Sequence, residues 1–220
     1  MATHIQIDFV SDVVCPWCAI GLNSLLSALE ARQGEVSVDI RFRPFELTPD
    51  MAPEGEEVIP YLCKKYGMTE QQVAENQQMI TERGESVGFN FNFRPDSRKW
   101  NTFDAHRLIH WAETFDGSNH ALILKHLLLQ MYFTENLNVS DHEVLIQAAG
   151  EAGLDKAEAA NVLASNRYAD DVRYEEQLWQ ERGIRSVPAM VFQEKFLVSG
   201  AQPPAAIEQV LDRIINDQTA

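Results

Sequence analysis

At 220 residues, with 45 % of them hydrophobic, the chain can bury a single core or a core carrying a large insertion. Its 33 acidic residues against 18 basic ones give a formal net charge of −15, which argues against a nucleic-acid partner and otherwise serves solubility. No run of about 18 apolar residues could span a membrane, and no basic segment followed by an apolar run marks a signal peptide, so a cytoplasmic protein is expected.

Ile5 to Val10 alternates and is rich in β-branched residues, which predicts a first strand. Cys18, Leu22, Leu25, Leu26 and Leu29 then recur at helical spacing, and Gly34 stops that helix. Val36, Val38, Ile40 and Phe42 alternate as a second strand with one buried face. Pro44, Pro49 and Pro53 break regular structure. From about Val58 to Asn166 the pattern is almost wholly helical. Ile59, Leu62, Cys63 and Tyr66 share a face, so Cys63 is expected to point into a core. Thr69 with Gln72, Ser140 with Glu143, and Asp155 with Glu158 read as helix caps with their third-position partners. Ala105, Leu108, Ile109 and Ala112 form an apolar stripe. Ala121 to Phe133 is apolar nearly all round and belongs in the middle of the bundle. Gly84 to Pro95, with Phe89, Phe91 and Phe93 at alternate positions, reads either as a short strand or as a loop packing its rings on the helices. A charged helix follows from Tyr168 to Arg182. A hairpin then turns at Gln193-Glu194-Lys195, and Pro203 and Pro204 open a last helix with Ile207, Val210, Leu211, Ile214 and Ile215 on one face; only the last few residues look disordered.

The chemistry concentrates in Cys15-Pro16-Trp17-Cys18, where the first strand hands over to the first helix. Pro16 suits the first helical turn. Cys15 then faces the positive end of the helix, which favours thiolate, the reactive form of the side chain. Cys18, one turn further in, can close a disulfide with Cys15, giving a nucleophile and its resolving partner. A zinc knuckle would need a second ligand pair, and with three Cys in the chain Cys63 has no companion. His106 and His110 lack Cys ligands beside them, so no metal is expected, and His106 reads as a hydrogen-bonded structural residue. Two buried apolar thiols remain the plainer alternative. Asp12 reads either as an acceptor for the Cys18 proton or as a solvated turn residue.

Without the helical block the order is β-α-β, then α, then β-β-α, which is the thioredoxin fold. Residues 1–50 and 167–220 would form a discontinuous thioredoxin-like domain, and 51–166 an all-helical domain inserted after the second strand. Pro188 opens the third strand, and the bond before it is a candidate for cis geometry, with an ordinary trans edge-strand proline as the local alternative.

With Cys15-Pro16-Trp17-Cys18, the stretch Trp100-Asn101-Thr102-Phe103-Asp104-Ala105-His106-Arg107, and Val187-Pro188 followed by Ser199-Gly200-Ala201-Gln202, the chain resembles the DsbA family. Within it the likeness is to the cytoplasmic FrnE-type branch, over essentially the whole chain. The resemblance implies a thiol–disulfide oxidoreductase that exchanges disulfides with proteins or low-molecular-weight thiols. It implies Cys15 as nucleophile, Cys18 as resolving thiol, Pro188 as the family's cis-proline and the Val187 backbone as a substrate contact. Pro16 and Trp17 would flank the substrate. Trp100 and Asn101 would line the groove above Cys15, unless Asn101 or Thr102 caps a helix and Trp100 packs between domains. Periplasmic members carry His where this chain has Trp17, so strong oxidising power does not carry over. A related branch with Ser in place of Cys15 uses glutathione for transfer or isomerisation, with contacts near Ser199 to Gln202. Glutathione is therefore a possible co-substrate, and a glutathione-dependent isomerase or a non-catalytic peptide-binding module the alternative readings. No cofactor beyond the Cys15–Cys18 pair is expected. The resemblance sets neither the direction of exchange nor an oligomeric state.

Overall fold

The computed structural model describes residues 2–115 and 117–219. A first strand β1 (Thr3–Ser11) leads into helix α1 (Pro16–Ala31) and strand β2 (Val36–Pro44), which runs parallel to β1 with Thr3 opposite Val36 and Ser11 opposite Pro44. The next segment carries a two-residue ladder of β3 (Glu56–Glu57) with β4 (Arg98–Lys99). It also carries helices α2 (Val58–Tyr66), α3 (Glu70–Glu85), α4 (Phe103–Glu113), α5 (His120–Phe133), α6 (His142–Glu151) and α7 (Lys156–Leu163). Helix α8 (Ala169–Glu181), strands β5 (Ala189–Phe192) and β6 (Phe196–Ser199) and helix α9 (Pro204–Thr219) complete the chain. Ala220, at the end expected to be disordered, lies outside the described residues. Disregarding the two-residue ladder, the elements form the thioredoxin arrangement, with the all-helical segment following the second strand.

The main sheet has the order β2-β1-β5-β6, with β5 antiparallel to both neighbours. As an interior strand β1 is buried on both faces: Ile5, Ile7, Phe9 and Val10 are all inaccessible. Asp8 shares that burial and is paired by Arg43 of β2 at 2.7 Å, which offsets its loss of water. The β5–β6 turn uses Gln193 and Glu194 at positive φ, a twist-matching turn that normally takes Asn or Gly. The Gln193 amide offsets that strain, donating to the His4 carbonyl at 3.0 Å and accepting from the Gln6 N–H at 3.1 Å.

One hydrophobic core joins the sheet to the helical segment, running from Ile5, Phe9 and Leu22 through Leu108 and Leu128 to Leu145 and Val162. The stripe of Ala105, Leu108, Ile109 and Ala112 is buried within it. Gly84 to Pro95 holds no strand beyond the end of α3; it is a loop whose rings pack on α5, Phe91 lying 5.1 Å from Phe133 between ring centroids. Three expectations are corrected. Helix α2 has no buried residue, so Cys63 is half-buried and Tyr66 is exposed: the helix covers a cleft rather than a core. The cap of α6 is Asp141 and not Ser140; its carboxylate accepts the Glu143 N–H at 2.8 Å, while the Ser140 hydroxyl turns back to Asn138. The charged helix begins at Ala169, because Tyr168 takes the left-handed conformation.

Candidate active site

After β1 ends at Ser11, residues 12–14 turn the chain and Cys15 becomes the N-cap of α1, with extended backbone and Pro16 at the helix start. The Cys15 carbonyl accepts the N–H groups of Cys18 and Ala19 at 3.0 and 3.3 Å, so the pair is fixed within the first turn. Both cysteines are thiols. Cys15 is 3 % exposed, and its thiol donates to the Val187 carbonyl at 3.8 Å. The Val187–Pro188 peptide is cis. Pro188 is buried against Gly21 of α1, where a Cβ would lie 3.0 Å from Pro188 Cγ. The Pro188 carbonyl accepts the Gly200 N–H at 2.8 Å, tying this loop to the end of β6.

In front of Cys15 opens a cleft of about 660 Å³. One wall is the sheet end with Cys15, Pro16, Trp17 and Val187; the other is α2, α3 and residues 92–99. Three of the six residues expected to contact substrate, Pro16, Trp17 and Val187, therefore meet there beside Cys15. The other three do not line it. The Trp100 ring packs against Gly55, where a Cβ would come within 2.6 Å of it, and the Arg98 guanidinium stacks 5.6 Å above. Asn101 accepts the Phe103 N–H at 2.9 Å and donates to the Pro49 carbonyl at 3.2 Å, so its amide is spent just ahead of α4, whose N-cap is Thr102. Gln202 is exposed and donates to the Ser199 carbonyl at 2.9 Å. The resemblance carried these positions over from motifs, but in this chain the Trp100 ring is spent on packing and the amides of Asn101 and Gln202 on backbone bonds.

Behind the sulfurs lies a set of buried charges. Asp12 is 0 % exposed, which excludes the solvated-turn reading. Burial alone would raise its carboxyl, yet His106 at 3.4 Å, the nearby Lys99 charge and the Leu47 N–H at 2.8 Å hold it down at about 2. An acid held that low is a fixed negative charge and a poor acceptor for the Cys18 proton. Cys18 is 0 % exposed; burial first, then the Cys15 sulfur beside it, push its thiol well above the usual value, while the Lys125 charge pulls it down. Lys125 is 1 % exposed on α5, and burial lowers its ammonium against the opposing fields of Cys18, Asp12, Cys15 and Glu113. Sequence reading passed over Lys125. The available signal was one cation in the middle of Leu122-Ile123-Leu124-Lys125-His126-Leu127-Leu128-Leu129, a helix buried nearly all round. Lys99, 8 % exposed and on the cleft wall, gave no such signal within a two-residue strand.

Residues 6–212 match the family model of the DSBA-like thioredoxin domain. YwbO, an uncharacterised protein of Bacillus subtilis (strain 168), is 26 % identical over 219 residues, 99 % of this chain and 98 % of that one. The crystal structure of a probable DsbA oxidoreductase, SCO1869 from Streptomyces coelicolor, is 32 % identical with a TM-score of 0.88, over 96 % of this chain and 89 % of that one. The cytosolic disulfide reductase DsbM from Pseudomonas aeruginosa, solved with GSH, shares the fold at 15 % identity and a TM-score of 0.65, over 96 % and 99 % of the two chains.

Proposed function

The chain belongs to the DSBA-like thioredoxin domain family and is a disulfide oxidoreductase, and we propose that its redox centre is the Cys15–Cys18 pair, serving disulfides that enter the cleft. One observation carries this reading. Of the three cysteines only Cys15 lines the cleft, with Cys18 one turn behind it on the same helix. Cys15 sits at the N-terminus of α1, with the Val187 carbonyl beside its sulfur.

In the reducing direction the Cys15 thiolate attacks one sulfur of the substrate disulfide. That bond breaks, the far sulfur leaves as a thiolate, and Cys15 is held in a mixed disulfide. Cys18 loses its proton and attacks the Cys15 sulfur, releasing the second substrate thiol and leaving a Cys15–Cys18 disulfide. The two protons given up by the protein end on the two released thiols. The Val187 carbonyl, beside Cys15, is positioned to receive a backbone or amide N–H of the substrate during attack. Lys125 supplies the positive charge that the Cys18 thiolate needs at the second step.

We place the protein with the FrnE-type branch on its three motifs, and in the cytoplasm. Its partners are thiol- and disulfide-bearing molecules, with glutathione a candidate because the cytosolic DsbM is solved with GSH. Replacing Cys15 by Ser is expected to abolish insulin-disulfide reduction. Cys18→Ser should retain the first step and trap the mixed disulfide on Cys15. Cys63→Ser should leave turnover within about twofold of the parent, since Cys63 does not line the cleft. Turnover by Cys15→Ser close to that of the parent would overturn the assignment.

A further inference from the structure

The cleft differs in charge from the chain that builds it. The sequence carries 33 acidic residues against 18 basic ones, yet the described cleft walls hold Lys65, Arg98, Lys99 and Arg185 and no acidic residue. An unselected sample of this chain's surface would be acidic, so the reversal marks the ligand rather than the protein's solubility.

Within that set Lys99 stands apart. The β3–β4 ladder, with Glu56 opposite Lys99, turns Lys99 inward and leaves it 8 % exposed. Its ammonium stacks over the Tyr61 ring at 5.3 Å. Among the described residues no carboxylate lies within 4.0 Å of it to form an ion pair. Asp12 feels its charge but makes no ion pair with it, and one oxygen of its carboxylate accepts the Leu47 N–H. Arg98, by contrast, is committed to the Glu54 and Gly55 carbonyls, and Lys65 to Tyr61 and the Leu47 carbonyl. A buried cation with no carboxylate in contact is costly unless something supplies one. The remaining wall is apolar, from Leu62, Val73, Ile80 and Phe93, and about 660 Å³ is the size of a small-molecule pocket.

We propose that the cleft selects low-molecular-weight disulfides bearing a carboxylate beside an apolar body, with Lys99 receiving the carboxylate. The inference rests on the disulfide-exchange reading and adds its substrate class: Lys99 holds the anion while Cys15 attacks, and the electrons and protons move as described for the general reaction.

The test uses the reduced full-length protein and two aromatic disulfides, the dianionic dithiobis-nitrobenzoate and the neutral dithiodipyridine. Oxidation of the Cys15–Cys18 pair is followed by release of the coloured thiol, and kcat/KM or the second-order rate is taken for each. In Lys99→Met the anionic-to-neutral rate ratio is expected to fall by about tenfold or more, the weight of one charge-assisted contact. Lys99→Arg is expected to restore most of it. In the parent, added salt should slow the anionic reagent and leave the neutral one nearly unchanged, a readout that needs no variant. An unchanged ratio in Lys99→Met, or equal salt dependence for both reagents, would overturn the inference while leaving disulfide exchange standing. Equal preference for a neutral disulfide-bearing peptide would do the same. If the parent is oxidised by neither reagent, it is the underlying exchange reading that fails.

Discussion

The residue whose chemistry is most constrained by its position is Lys125. A cation 1 % exposed in an apolar helix lowers stability, yet its charge is aimed at Cys18, whose thiol burial has pushed up. The two effects separate in one substitution. Lys125→Met is expected to raise stability to urea by about 1 kcal/mol, because a buried charge becomes a packed side chain of similar length. The same change is expected to slow resolution of the mixed disulfide at pH 7, because the Cys18 thiolate loses the positive charge that favours it. Because thiolate is the attacking form, resolution accelerates with rising pH, and the variant's profile should be displaced to higher pH. Single-turnover release of the second thiol measures this. An unmoved profile would make Lys125 a packing residue only. The Cys15–Cys18 pair itself was legible in sequence, since spacing, Pro16 and the strand–helix junction are all local. Lys99 and Lys125 were not, because what distinguishes them is what faces them from segments far away in the chain.

Among the elements, α4 and β2 are joined by a carboxylate. β2 is an edge strand of the main sheet, and Glu113, the last residue of α4, accepts its Phe42 N–H. Burial first, with Glu175 and Asp8 adding to it, raises Glu113 to about 7, against the pull of the Phe42 N–H and Arg43. The folded value lies above the unfolded one near 4.5, so folding takes up a proton between these limits. Stability from this group is therefore present below about pH 4.5 and lost as pH rises through 7. Glu113→Gln keeps an acceptor for Phe42 and cannot ionise. It is expected to match the parent at pH 4 and to exceed it at pH 8 by on the order of 3 kcal/mol, read from urea midpoints at the two pH values. Equal differences at both would show that Glu113 does not titrate in this window. The order of elements could be read from periodicity because each long helix and strand carries its own apolar pattern. The site of a cap was less legible: Ser140 and Asp141 are both good caps, and Asn138 decides between them by bonding the Ser140 hydroxyl.

At the scale of the molecule, the sheet and the helical segment share one core, and α1 packs against α3, α5 and α9. The sequence division into residues 1–50 with 167–220 and 51–166 describes the order of elements, and the buried side chains cross it. Near-ultraviolet circular dichroism, dominated by rings on both sides, and far-ultraviolet dichroism are therefore expected to give one coincident thermal transition. Two separated transitions would mean that the helical segment folds on its own. Sequence pattern could not supply this, because an amphipathic stripe shows that a face is buried and not which partner buries it.

The two walls of the cleft come from separate stretches of the chain. Residues 14–17 and 185–187 bear on the sulfur, whereas positions 58–80 and 92–99 shape the opposite wall. A lineage, or a mutagenesis library, can thus vary the second set and explore new substrates while the electron chemistry is inherited intact. Lys125 marks where that freedom ends: it lies in the helical segment, but a descendant that loses it changes the sulfur chemistry and not the guest.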